Sequence, residues 1–358
     1  MYIDLPQYQE IIHGYSLIDC AVRNKDMFVF IASQILSDEE LDEYEEEGLD
    51  LDYRPKRIIT FLRNGSNNDT SGRRWFGNAL IGWDTIRIGA SNLPQNHSLT
   101  VEMDSIRRDG RTFITGSGPA HIGDRPRRRI DGGFDRGGVD RMKTINGFLY
   151  AVGGNRTLGK WLGENKWQSL IDNLPALKRK TTTDAILESG FDDVDGFSET
   201  DIYAGGGKGD VWHFDGENWE PVPFPTNDKI FSLCCGGDGF VYVSCYGGMT
   251  FKGRGDNWEK IYNGGISGNF RDMVWHKDRV YCTNDYGVWT IHNGKVKAAN
   301  LPDEIHACSG HLYANDGVML LAGLGGAAYC EDGNWALLYN RSTMDNLLML
   351  SELETKAK

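Results

Sequence analysis

GDGFVYVSCYGGMTFKGRGDNWEKI, residues 237–261, reads as most of one small antiparallel sheet. Phe240–Cys245 alternates faces with period two and is rich in aromatic and β-branched residues, the pattern of a strand. Gly247–Gly248 permits the positive φ of a tight hairpin. Met249–Phe251 returns as the next strand, Gly253 and Gly255 turn the chain again, and Asn257–Tyr262 makes a fourth strand around Trp258. Ile230–Cys235 supplies the strand before them. One such sheet cannot cover both its faces, so it needs neighbours of the same kind stacked against it.

The neighbours are present in the sequence. NGFLYAVGGNRTLGKWLGENKWQSL starts at Asn146 and ETDIYAGGGKGDVWHFDGENWEPV at Glu199. HKDRVYCTNDYGVWTIHNGKVKAAN starts at His276 and NDGVMLLAGLGGAAYCEDGNWALLY at Asn315. The strand anchors Tyr150, Tyr203, Tyr242, Tyr281 and Leu321 are spaced 53, 39, 39 and 40 residues apart. The closing tryptophans Trp167, Trp219, Trp258 and Trp335 are spaced 52, 39 and 77, with Lys297 standing where the fourth repeat would have its own. A period near 39 is the length of one four-stranded propeller blade. The surplus in the first gap falls in Ile171–Gly190, a polar stretch read as a long loop.

The five repeats occupy roughly 139–340, and the residues before them suffice for two more blades. Asp26–Gln34 and Arg57–Arg63 read as one blade split by an insert. Ala79–Ala90, Ser98–Met103 and Arg111–Thr115 read as the other. The expected fold is therefore all-β: a single β-propeller over 1–341 with seven four-stranded blades, six being the alternative count. The expected departures are an acidic insert at 36–56 in the first blade, a long basic loop at 105–138, and a tail, 342–358, whose leucine spacing suits a short helix. Tyr15–Val22 is the candidate to close the propeller by pairing into the last blade and so removing a free edge.

Composition supports a globular chain. Of 358 residues, 40% are hydrophobic and 25% charged, while 45 glycines are near twice the usual share and prolines number only 10. The net charge of −13 argues against a general nucleic-acid binder. The first 22 residues carry Asp4 and Glu10 but neither Lys nor Arg, unlike a secretory leader. The longest apolar-leaning run, Val318–Cys330, is too short and too glycine-broken to span a membrane as a helix. Seven cysteines, an odd number, suit reduced thiols and a cytoplasmic location.

Two segments break the repeat. Asp38–Asp52 holds ten carboxylates and no basic residue, and without it the net charge of −13 falls to −3. Asp38, Glu39, Glu40, Asp42, Glu43, Glu45, Glu46, Glu47, Asp50 and Asp52 are the candidate partner-binding residues, because clustered carboxylates speed encounter with a basic protein surface. A solvated loop is the plainer reading of the same residues. Arg107, Arg108, Arg111, Arg125, Arg127, Arg128, Arg129, Arg136 and Arg141 make a basic counterpart, expected as a surface loop paired with aspartates.

No catalytic or metal pattern passes its context test. The eight histidines show no HExxH spacing, and His306, Cys308, His311 and Cys330 lack a CxxC companion. There is no GxSxG elbow. Gly153–Lys160 superficially resembles a phosphate loop but sits in a hairpin with no helix after it. The expectation is no catalytic residue, no metal and no cofactor.

The endings GENW (Gly216–Trp219), GDNW (Gly255–Trp258) and DGNW (Asp332–Trp335) resemble turns of Asp-box propellers. Together with the repeats they are similar to the broad WD40/YVTN/Asp-box kind of propeller. An acidic, divergent propeller of this size also resembles bacterial immunity proteins of polymorphic or secretion-system toxins. That resemblance implies a non-catalytic, monomeric binding protein that neutralises a basic toxin domain by direct contact. The competing class is a propeller enzyme, or a sugar- or small-ligand-binding protein, using the central channel. A converging set of acid, His and Arg side chains at one mouth favours the competitor, and charge placed on inserted loops favours the binder.

Overall fold

The computed structural model describes residues 1–65, 72–102, 112–115, 136–163, 166–177 and 190–356. Its strands follow the chain in hairpin order. The first sheet is β1 (Tyr15–Asn24), β2 (Met27–Gln34), β3 (Lys56–Leu62) and β4 (Trp75–Leu80). The second is β5 (Ile86–Ser91), β6 (His97–Glu102) and β7 (Thr112–Thr115). The third is β8 (Val139–Ile145), β9 (Phe148–Gly153), β10 (Thr157–Trp161) and β11 (Trp167–Ser169). The fourth is β12 (Asp193–Ser198), β13 (Asp201–Gly206), β14 (Asp210–Phe214) and β15 (Trp219–Pro221). The fifth is β16 (Ile230–Cys235), β17 (Val241–Cys245), β18 (Thr250–Arg254) and β19 (Asn257–Tyr262). The sixth is β20 (Asp272–His276), β21 (Arg279–Asn284), β22 (Gly287–His292) and β23 (Lys295–Ala298). The seventh is β24 (Gly310–Asn315), β25 (Val318–Gly323), β26 (Gly326–Glu331) and β27 (Asn334–Asn340). The described helices are α1 (Leu5–Ile11), α2 (Asp38–Glu46), α3 (Asp303–His306) and α4 (Arg341–Lys356).

The fold is an all-β propeller: among the described residues six sheets have four antiparallel strands and the second has three. Every strand anchor lies on the second strand of its sheet, which is why the 39-residue period holds. In the fifth sheet the hairpin after β17 turns at Gly247 and Gly248, with φ of +65° and +79°, where a side chain would strain the backbone.

The chain divides into two compact units, 86–299 and 1–85 with 300–358. In the first of these, apolar side chains from consecutive sheets interleave. Leu99 and Val101 pack with Met142, Leu149 and Trp161, and Tyr203 and Val211 pack with Leu233, Val241 and Phe251. Ile145 and Val152 pack with Val194, Ile202 and Trp219. Within this unit consecutive sheets thus bury their faces against one another, the physical content of a stacked repeat. In the other unit, Phe28 of the first sheet meets Tyr329 of the seventh at 5.3 Å between ring centroids, and Trp75 meets Tyr339 at 5.8 Å.

Two expectations are corrected. Tyr15–Val22 does not pair into the last sheet: β1 pairs with β2 through the short Asn24–Met27 hairpin, and the seventh sheet is complete with four strands of its own. Closing a hairpin over two residues costs far less chain entropy than joining the two ends of the sequence. The N-terminus reaches the last sheet by other means. Tyr2 N donates to Leu338 O at 2.8 Å, and Tyr8 on α1 donates its hydroxyl to Asp345 on α4 at 2.6 Å. Second, Ala79–Ala90 is not part of one sheet: the chain leaves the first sheet at Leu80 and enters the second at Ile86.

Candidate functional site

Between β2 and β3 the acidic segment folds as a helix that touches little. Ser37 caps α2 in a reciprocal box: Ser37 Oγ accepts from Glu40 N at 3.2 Å, and Glu40 Oε2 accepts from Ser37 N at 2.7 Å. Asp38, Glu39 and Glu40 lie in the first turn, where the helix dipole favours negative charge. Glu45 and Glu46 lie in the last turn, where it does not. No residue of α2 is buried. A short 3₁₀ turn, Leu51–Tyr53, follows, with Asp50 accepting from Asp52 N at 2.9 Å. The base of the segment is fixed by Lys56, which is 4% exposed and donates to Asp52 O, to Arg54 O at 3.2 Å and to Trp83 O at 2.8 Å.

Asp38, Glu39, Asp42, Glu43, Glu45, Glu46, Glu47, Asp50 and Asp52 are exposed and Glu40 is half-buried. The structure thus gathers the predicted carboxylates on one protruding element with a tethered base. Charge counting missed the large apolar residues among them. Leu41, Leu49, Leu51 and Tyr53 are all exposed too. Their signal was in the sequence, as apolar residues inside an acidic run.

Of the basic positions, Arg107, Arg108, Arg111, Arg125, Arg127, Arg128 and Arg129 lie outside the described residues. Arg136 donates to Leu174 O at 2.6 Å. Arg141 is not on a loop: it sits within β8 and enters a network among the first strands of several sheets. Its Nη1 donates to Asp272 on β20, its Nη2 to Arg271 O at 2.8 Å, and its Nε lies 3.8 Å from Asp193 Oδ1 on β12. Asp193 is fully buried, and its Oδ2 accepts from Lys143 Nζ at 3.0 Å and from Leu233 N at 2.8 Å. Burial opposes the charge on Lys143, but Asp193 and Asp195 outweigh it and hold the ammonium above the usual lysine range. Burial also raises the Asp195 carboxyl, against the pull of Lys143 and of the amide hydrogen bond from Cys235. These acids and bases are matched to one another.

Elsewhere in the same unit a cavity of about 200 Å³ is lined by Arg156, Leu177, Gly190, Gly207, Lys208 and Asp210. Its guanidinium is already engaged: Arg156 donates from Nε and Nη2 to both oxygens of Asp210 at 2.7 Å. Cys308 Sγ faces Glu304 O at 3.4 Å and His311 Nδ1 lies 3.8 Å from Asp19, so the sequence cluster at 306–311 is divided between other neighbours. Among the described residues no group of three or more His, Cys, Asp or Glu side chains is placed to hold a metal ion. All seven cysteines are free thiols, and no described helix is long and apolar enough to cross a membrane.

No protein-family model matches the chain. The chain is 32% identical over 213 residues to the immune protein Tsi7 of Pseudomonas aeruginosa, a match spanning 59% of this chain and 67% of that protein. Among solved structures it resembles the WD40 β-propeller domain of Doa1, with a TM-score of 0.57 at 13% identity over 90% of this chain and 96% of that one. PorZ, a surface component of the type-IX secretion system of Porphyromonas gingivalis, gives 0.54 at 9% identity over 91% of this chain and 38% of PorZ. Hsv2 of Kluyvelomyces marxianus gives 0.51 at 7% identity over 91% and 99%. These structural likenesses establish the propeller fold and nothing beyond it.

Proposed function

The chain belongs to the family of the immune protein Tsi7, and from that premise we propose that it is a non-catalytic immunity protein that neutralises a toxin domain by binding it directly. Family membership is the observation that carries the reading. The propeller supports it as a rigid base from which loops are presented. The placement of charge supports it too. The acids and bases on the first strands of the third, fourth and sixth sheets are matched to one another, whereas the carboxylates of α2 and its flanks face solvent.

In this reading the partner is a basic protein domain, and Asp38, Glu39, Glu40, Asp42, Glu43, Glu45, Glu46, Glu47, Asp50 and Asp52 steer it into place. Leu41, Leu49, Leu51 and Tyr53 supply apolar area beside the charge. The protein works as a monomer in the cytoplasm, where seven free cysteines stay reduced.

The test is co-expression with the protein encoded by the adjoining open reading frame. The expected result is that the neighbouring protein arrests growth alone, and that this chain restores growth and elutes with it as a one-to-one complex. Persistent toxicity with no complex would sink the proposal.

A further inference from the structure

The fifth and sixth sheets carry a second exposed surface, aromatic where α2 is dominated by carboxylates. Tyr246 at the tip of the β17–β18 hairpin and Tyr286 at the tip of the β21–β22 hairpin are each 71% exposed. Both tips are bonded to residues 263–269 of the connector that joins β19 to β20. On one side Gly247 N donates to Asn269 Oδ1 at 2.7 Å, and Gly265 N donates to Gly247 O at 3.1 Å. On the other, Asn284 Nδ2 donates to Ser267 O at 2.9 Å, while Asn284 Oδ1 accepts from Tyr286 N at 2.8 Å.

The glycines on this surface are there for different reasons. Gly268 has a φ of +78°, which a side chain would strain, and a side chain at Gly248 would collide with Ile266 at 2.6 Å. Ile266 and Phe270 in turn anchor the connector in the core of the fifth and sixth sheets. The two tyrosines therefore stand on a backbone already held in place.

The exposed connector residues between them carry no charge. Asn263, Gly265, Ser267 and Gly268 are exposed between the tips. The nearby ions, Arg271 and Asp285, form a two-pronged pair with both bonds at 2.7 Å and cancel each other. Tyrosine with glycine, serine and asparagine is the composition of protein-recognition loops, because tyrosine brings large area and a hydroxyl at low entropy cost. Aromatic side chains of this kind concentrate binding energy when a partner covers them.

We infer that Tyr246 and Tyr286, with the connector 263–269 between them, form a preorganised and electrically neutral docking surface for an uncharged face of a folded protein partner. The partner is the toxin domain of the proposed function, and the inference rests on that reading. A sugar is the poorer fit, because Asp285, the carboxylate next to Tyr286 in the chain, is already paired with Arg271.

A neutral aromatic surface acts on dissociation, where a charged one acts on encounter. The experiment measures association and dissociation rates for the protein encoded by the adjoining open reading frame, against the wild-type chain and the variants Tyr246→Ala, Tyr286→Ala and the double variant. With both rings exposed, thermal unfolding should be unchanged, which separates lost binding from lost folding. Each single variant should dissociate about 30-fold faster, with the association rate and its salt dependence unaltered. If the wild-type chain does not bind this protein, the proposed function falls and this inference with it. If the wild-type chain binds and the double variant dissociates at the same rate, this inference alone falls. It also falls if free oligosaccharides bind tightly and the same substitutions abolish that binding.

Discussion

Arg141 on β8 donates from Nη1 to Asp272 on β20, a residue 131 positions further along the chain. The pair joins the first strands of the third and sixth sheets, and Asp193 on β12, with its Oδ1 3.8 Å from Arg141 Nε, joins the fourth to them. Burying these ions costs desolvation, which their mutual attraction and hydrogen bonds offset.

Removing Arg141 takes from Asp272 the cation that it faces, while Asp193 keeps Lys143. Arg141→Met should destabilise the fold by about 3–5 kcal/mol, chiefly through the buried carboxylate of Asp272. Asp272→Ala should cost less, since Arg141 keeps Asp193. The double variant should fall short of the sum, which a urea-denaturation double-mutant cycle would read directly.

Asp140 neighbours this network and gives a pH signature. Burial pushes its carboxyl up to about 6, with Arg87, Arg141 and Lys229 pulling down and Asp192 pushing up. Between its unfolded value of 3.8 and about 6 the folded state binds the extra proton, so this group's contribution to stability is full below pH 4 and is lost as pH rises through 6. Asp140→Asn should remove that slope and raise stability at pH 7 by up to about 3 kcal/mol. Unfolding midpoints of both proteins from pH 4 to pH 8 would show it, and parallel curves would refute it.

The acidic helix should be separable from the fold. Replacing Glu39, Glu40, Asp42, Glu43, Glu45, Glu46 and Glu47 with Ser breaks the capping box, yet α2 buries no residue, so thermal unfolding should be unchanged. Association with the toxin partner at low salt should slow by roughly tenfold or more, and its salt dependence should flatten. Stopped-flow rates across a salt series test this, and an unchanged rate at low salt would make the segment a solvated loop.

The closing tryptophans should differ in weight. Trp219 is 5% exposed, packs its ring at a tilt against Phe214 at 5.1 Å and donates its Nε1 hydrogen to Leu170 O at 2.7 Å. Trp258 is only half-buried, and its Nε1 hydrogen goes to Gly255 O within its own hairpin. Trp219→Ala should cost about 3–5 kcal/mol and Trp258→Ala about half as much. Equal losses in denaturant midpoint would contradict the difference in packing.

Much of the fold was legible because its signals are short-ranged. Ile230–Cys235 and Asn257–Tyr262 are strands with the expected bounds, since period-two alternation and flanking glycines act within a few residues. The split of Asp26–Gln34 from Arg57–Arg63 by an acidic insert was legible for the same reason: ten carboxylates without a cation cannot continue a buried sheet. The placement of Tyr15–Asn24 was not, because an edge strand fits either end of a propeller equally well by pattern. Arg141 read as one more arginine of a basic run, since nothing local marks a residue whose partners come from two other sheets.

By itself, then, the sequence determined the strands, the hairpin turns, the repeat period and the concentration of negative charge. These follow from backbone conformation and composition over tens of residues at most. Tertiary structure alone decided that Arg141 meets Asp272, that Lys143 meets Asp193, and that Tyr246 and Tyr286 flank one connector. Such meetings depend on how finished sheets stack, and a repeat of about 39 residues specifies that each sheet has neighbours without specifying which of their side chains come within reach.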